Sequence, residues 1–275
     1  MPRWMVPLTA MFGLIAGCAA AQREQAGALQ RDPRWQHDEG GIVRGDAAEK
    51  RLALIFTGGD YGEGTEHILN VLHRRGIKAS FFVPGQYRAK AEHRPLVTRI
   101  VAEGHYLGPH SDGHLLYCAW EDRARTLVTQ DAFRQDLREN IADLRSFGAL
   151  RSDGPIYFIP PYEWFNAEQV RWANAMGLVL FNFTPGSGSN RDWIPEGERG
   201  FVSSEEILRG ILEYERRDLH GLNGFLLLLH VGSLRTDKMH MQLEPLVGEL
   251  MQRGYVFVRV DDLLRPRPIS RDGTR

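Results

Sequence analysis

Seven short apolar runs, rich in branched and aromatic residues and separated by stretches of helical spacing, constrain this chain more than any other feature. They fall at residues 52–57, 79–83, 106–110, 156–162, 178–183, 225–230 and 255–260. Runs of this length bounded by turn residues read as buried strands. Between them apolar residues recur three and four apart, as in Ile68, Leu69, Val71 and Leu72 before Gly76, or Phe133, Leu137, Ile141 and Leu144 before Gly148. Glycines just past such stretches, and Ser203-Ser204-Glu205-Glu206 at the start of another, are helix boundary signals. This alternation predicts a parallel α/β architecture.

In a parallel barrel the carboxyl ends of the strands collect at one face, where active sites form. Asp60, His110, Tyr162, Thr184 and His230 all stand at such ends. His110-Ser111-Asp112-Gly113-His114 places two imidazoles four residues apart, and Asp60 follows the first strand. Two imidazoles and a carboxylate with an open position are a common catalytic set for a divalent ion. Zinc suits it first, with cobalt, nickel or iron as alternatives. Such an ion acidifies water and polarises a carbonyl, so the chain reads as a metal-dependent hydrolase.

The 275 residues are 43% apolar and 25% charged, enough for one sizeable core. A net charge of −1 without a basic stripe gives no attraction to nucleic acid. Gly58, Gly59, Gly62 and Gly64 lack the Gly-Lys-Ser/Thr of a phosphate loop, and Ser111 lies outside a Gly-x-Ser-x-Gly turn, which removes nucleotide and serine-hydrolase readings.

Arg3, the apolar stretch from Trp4 to Ile15 and the small residues before Cys18 form an export signal over residues 1–18. Its Ala-Gly-Cys end resembles that of bacterial lipoproteins, in which Cys18 carries the lipid; cleavage near Ala19 to Ala21 is the alternative. The expectation is an exported protein whose only membrane attachment is that lipid, at a bacterial membrane. Residues 19–49 read as a polar tether, 50–265 as the domain and 266–275 as a polar tail. Cys118 is then the sole thiol of the mature chain and reads as packing.

The strand ends, taken in order, resemble the motifs of the polysaccharide deacetylase family of carbohydrate esterases. Thr57-Gly58-Gly59-Asp60 resembles Thr-Phe-Asp-Asp, and His110 to His114 resembles His-Ser/Thr-x-x-His. Pro160-Pro161-Tyr162, Arg191-Asp192-Trp193 and Leu228-Leu229-His230 resemble Arg-x-Pro-Tyr, Asp-Trp and Leu-x-His. The resemblance covers residues 51–264 and implies an irregular (β/α)7–8 barrel as a single domain. It implies Asp60, His110 and His114 as metal ligands, the Tyr162 N–H as oxyanion donor, His230 as general acid and Asp192 as its orienting carboxylate. Leu228 and Trp193 would hold the acetyl methyl, with Pro161 beside them. Trp164 and Trp193 could stack on sugar rings or simply pack, and Trp120 reads more as packing.

Two departures stand out. The family's base, the first aspartate of motif 1, is Gly59, and its arginine partner is replaced by Phe158 or Ile159. Glu163 is the first replacement base, with Glu63 and Asp112 as others. The expected activity is removal of acetyl groups from N-acetylated amino sugars of a glycan. The alternatives are a metal-containing carbohydrate-binding pseudoenzyme, or a hydrolase of O-acetyl esters or non-sugar amides.

Overall fold

The computed structural model describes residues 8–150 and 154–265, with side chains from Ala19 onward. Its elements run α1 (Leu8–Gln30), β1 (Gln36–Asp38), β2 (Gly41–Arg44), β3 (Arg51–Thr57), α2 (Thr65–Arg75), β4 (Ser80–Val83), α3 (Gly85–Ala89), α4 (Arg94–Ala102) and β5 (Tyr106–Pro109). There follow α5 (Gln130–Ser146), β6 (Ile156–Phe158), α6 (Ala167–Ala175), β7 (Leu178–Leu180), α7 (Ser204–Arg217), β8 (Phe225–His230), α8 (Leu243–Gln252), β9 (Val256–Phe257) and α9 (Val260–Leu263). All seven expected strands form. β6 stops at Phe158, before Pro160 and Pro161, which have no N–H to donate to a ladder.

The strands β5-β4-β3-β8 form a parallel sheet, with β9 against the start of β3, while β6 and β7 pair separately. The register puts Thr57 beside both Phe82 and His230, so the strand ends that carry chemistry finish level. Alternation along β3 and β8 divides two cores. Leu54, Phe56, Leu227 and Leu229 pack outward under the helices, and Ile55, Leu226 and Leu228 pack inward with Phe82, Tyr157, Val179 and Phe181.

Side chains close the two seams of this irregular barrel. Between β5 and β6 the Tyr106 hydroxyl accepts from Tyr157 N at 2.8 Å. Between β7 and β8, Thr184 N donates to Leu226 O (3.0 Å) and the Thr184 hydroxyl accepts from Leu226 N (3.0 Å) while donating to Val43 O (2.6 Å). Thr184 therefore works in the wall rather than at the active face.

Residues 19–49 are not a free tether. Ala26, Leu29, Trp35 and Ile42 are buried in the inner core. Gln30 serves Leu180 as a strand would, its amide donating to Leu180 O at 2.8 Å and accepting from Leu180 N at 3.0 Å. β2 bridges Phe181 through Ile42 and caps the edge of β7. Polar composition concealed this, because four well-spaced apolar residues suffice when the barrel supplies the rest of the surface. The start of the export signal and the 266–275 tail lie outside the described residues, and the side chain of Cys18 is not among those described. Among the described residues no helix is long and apolar enough to cross a membrane.

Candidate active site

A cavity of about 730 Å³ opens at the level strand ends. Thr57, Gly59, Asp60, His110, His114, Tyr162, Glu163, Trp193 and His230 line it, as do Tyr61 and Trp120. A second cavity of about 530 Å³ lies at the amino ends of β5 and β6, around His105, Tyr106 and Tyr157, away from these groups.

The loop after β5 is held by α5, whose role the sequence reading missed. Asp136 accepts from the Ser111 hydroxyl (2.5 Å), Gly113 N (2.6 Å) and Asp112 N (3.2 Å). Asn140, one turn on, accepts from His110 N at 3.1 Å. Both are polar residues on the stripe that Phe133, Leu137, Ile141 and Leu144 bury, and that placement was the available signal. Burial pushes the Asp136 carboxyl up, against the pull of its three hydrogen bonds.

His110 bonds through Nδ1 to Ile159 O at 2.9 Å, which leaves Nε2 for another partner. The His110 and His114 rings lie 5.1 Å apart, and His114 rests against Tyr162 at 4.5 Å. Burial, reinforced by neighbouring histidines, lowers the pKa of His110 well below its ordinary value and that of His114 to about 4. Both are thus neutral imidazoles at pH 7, the form that binds metal. Asp60 lies exposed on the rim, and no group of three His, Cys, Asp or Glu side chains among the described residues is placed to hold an ion. The histidine pair fits a divalent metal; the third ligand is not in position.

Backbone strain concentrates here. Four of the six non-glycine residues with positive φ, among the described residues, are Ser111, His114, Tyr162 and Glu163. Each costs on the order of 1 kcal/mol and persists only because its surroundings impose it. Pro160 O accepts from Glu163 N and Pro161 O from Trp164 N, a turn whose own bonds leave the Tyr162 N–H unused.

Asp192 grips His230 twice, accepting from its backbone N at 2.8 Å and meeting Nδ1 at 2.6 Å. Burial pulls the His230 pKa down, but Asp192 and then Glu163 more than offset it, and the net shift is upward. Burial pushes the Glu163 carboxyl up to about 7, with the His230 charge opposing and Asp192 adding to the rise. The buried Thr57 hydroxyl, its neighbour, has no hydrogen-bond partner of ordinary geometry.

The other two candidate bases are engaged elsewhere. Glu63 accepts from Ser233 N (3.0 Å) and from Lys238 Nζ (2.5 Å), holding the loop after β8. Asp112 pairs at 2.8 Å with the buried Arg88. The expected substrate contacts rearrange as well. Leu228 faces the inner core, and neither Pro161 nor Trp164 lines the cavity. Trp193 does, and so does Trp120, which the sequence alone assigns to packing.

Residues 44–181 match the polysaccharide deacetylase family model, half of the chain. The chain belongs to the polysaccharide deacetylase family. A peptidoglycan-N-acetylglucosamine deacetylase of Bacillus cereus is 26% identical to it over 220 residues, covering 79% of this chain and 89% of that protein. The peptidoglycan-N-acetylmuramic acid deacetylase PdaA of Bacillus subtilis is 23% identical, covering 95% and 96%. A pseudoenzyme of carbohydrate esterase family 4 from Bacillus anthracis shares the fold, with a TM-score of 0.65 at 20% identity over 83% of this chain and 70% of that one. A mutant of that pseudoenzyme with restored enzymatic activity superposes with a TM-score of 0.64 at 20% identity over 83% and 72%.

Proposed function

We propose that this chain removes acetyl groups from N-acetylated amino sugars of a cell-wall type glycan, using Glu163 as general base in place of the aspartate missing at position 59. The observation that carries the reading is the Glu163, His230, Asp192 constellation. One carboxyl is pushed to about 7, and one histidine is raised and clamped by a carboxylate beside it. Near neutral pH this leaves a base able to accept a proton and an acid able to donate one.

Glu163 takes the proton of the attacking water while Thr57, with its unpartnered hydroxyl, orients that water or the carboxylate. The free Tyr162 N–H donates to the oxygen that gains charge. His230, fixed by Asp192, protonates the leaving nitrogen, and acetate and a free amine result. A divalent ion, zinc in the simplest case, belongs to the proposal: His110 and His114 would hold it, and Asp60, exposed on the rim, would have to turn inward to complete the set. When bound it supplies Lewis acidity at the carbonyl and a more acidic water. The two deacetylases named above act, by name, on peptidoglycan, which supports an amino-sugar glycan over acetyl esters.

One observation favours a second reading, a glycan-binding pseudoenzyme. A Cβ at Gly59 meets nothing within 4 Å, so the usual base is simply missing from an open position, and Phe158 or Ile159 replaces its partner. Acetate release from chitooligosaccharides and peptidoglycan fragments by zinc-loaded protein, beside Gly59→Asp and Glu163→Gln, separates the two. Release by the native chain that Glu163→Gln abolishes supports the relocated base. Release only after Gly59→Asp establishes the pseudoenzyme.

A further inference from the structure

Large aromatic side chains exposed to solvent are not scattered over the described surface. Tyr61, Trp120, Tyr162 and Trp193, between 41% and 56% exposed, all line the one cavity at the strand ends. Trp193 and Tyr162 belong to motifs already given roles. Trp120 does not, and it is the most exposed of the four at 56%.

Its support is built. The ring lies stacked on Trp164, centroids 5.7 Å apart and planes 24° from parallel. Trp164 is fixed by its indole N–H donating to Ala119 O at 3.1 Å, and the Arg123 guanidinium covers it at 4.6 Å. Arg123 is anchored in turn by Phe165 O at 2.6 Å and by Asp38 of β1 at 2.7 Å. Ala119 N bonds to Arg125 O and Leu127 N to Tyr117 O, so a short hairpin presents Trp120. A tryptophan packed for stability would be covered. This one is held rigid by a pile of side chains and left bare toward the cavity, which lowers the ordering cost of a ligand that lies on it. The apolar C–H face of a pyranose suits such a ring.

We propose that Trp120 is the platform for a second sugar ring, next to the one whose acetyl group is removed, so that the site favours an oligosaccharide over a monosaccharide. The inference rests on the glycan reading above. Only the Tyr162 ring separates Trp120 from His114, at 5.8 Å and 4.5 Å centroid to centroid, which places the platform one sugar away from the reacting group.

The test compares native protein with Trp120→Ala and Trp120→Phe, on N-acetylglucosamine, chitotetraose and a peptide-free tetrasaccharide of alternating N-acetylglucosamine and N-acetylmuramic acid. Calorimetric binding and acetate release are both read. Trp120→Ala is expected to weaken tetrasaccharide binding and raise its KM about tenfold. The value of kcat stays within about twofold, because the contact is equal in ground and transition states. The monosaccharide is unaffected, and Trp120→Phe recovers most of the loss. Equal losses for monosaccharide and tetrasaccharide, no change in either, or no binding of either tetrasaccharide overturns the proposal. A tetrasaccharide-specific loss of binding without acetate release supports the platform and removes the hydrolytic reading. Acetate release indifferent to Trp120 does the reverse.

Discussion

Glu163 is held where ordinary carboxyls are not, and its two protonation states have opposite consequences for rate and for stability. As a base it must be ionised, so turnover should rise as pH passes through about 7. As an acid His230 must be protonated, and its raised pKa places the falling limb above its ordinary value of 6.5. Glu163→Gln is expected to lower kcat about 10²–10⁴-fold with KM little changed, and to abolish the acidic limb in what activity remains. A pH–rate profile for the two proteins checks this. For stability, the folded carboxyl titrates near 7 against 4.5 in the unfolded chain. The native state therefore binds the proton more tightly, and its stability is fullest below 4.5 and declines as pH rises through 7. The amide introduced by Glu163→Gln has no charge to bury, so the variant should match native protein at pH 4 and exceed it by about 1–3 kcal/mol at pH 8. Denaturant midpoints at the two pH values read the difference. A gain at pH 4 as large as at pH 8 would show that charge burial is not the cause.

The elements decide which of the motif residues reach the cavity. Strand ends were legible because β3, β5 and β8 are short apolar runs that stop at or next to polar residues, and the register sets Thr57 level with His230 and, through Phe82, with Gly108, two residues before His110. Chemistry that depends on what lies behind a strand end was not legible. Trp164 and Trp120 are both aromatic residues in loops, and only their burial in the folded chain shows that Trp120 is the one that faces out. Leu228 sits two residues before His230, and strand alternation sends it into the inner core. Asp136 and Asn140 needed the docking of α5 against the loop after β5 before their polar groups had an address. Asp136→Ala leaves the Ser111 hydroxyl and two backbone N–H groups without their acceptor in a loop already strained at Ser111 and His114. The expected cost is about 2–4 kcal/mol in thermal or denaturant unfolding. If His110 and His114 hold zinc as proposed, its affinity, read by competition with a chromogenic chelator, should fall about 10–100-fold, since the histidines lose the shell that orients them. Asp136→Asn, which keeps the shape and one acceptor, should recover part of both.

At the scale of the whole molecule, the barrel is incomplete without the segment that precedes it. β6 and β7 do not pair with the main sheet, and the wall is finished by Tyr106, Thr184, β2 and the Gln30 amide. The α/β class and strand count follow from local periodicity, whereas this closure depends on contacts between residues 42 to 150 positions apart, such as Thr184 to Leu226 and Gln30 to Leu180. Periodicity within a window carries no trace of such contacts. The consequence is a difference between two truncations. Starting the chain at residue 19 keeps Ala26, Leu29, Trp35 and Ile42 in the core and should leave stability within about 1 kcal/mol of the full chain. Starting it at residue 46 removes those side chains, strips Leu180 of both its Gln30 bonds and takes Val43 from Thr184. At about 1.5–3 kcal/mol for each large apolar side chain removed from the core, the loss is on the order of 5 kcal/mol or more. That is comparable to the whole stability of an ordinary domain. The shorter protein should therefore be unfolded or aggregated when expressed, and circular dichroism with size-exclusion chromatography of the two truncations would show it. A folded, cooperative chain beginning at residue 46 would mean that the barrel closes by itself and that residues 19–45 merely lie on it.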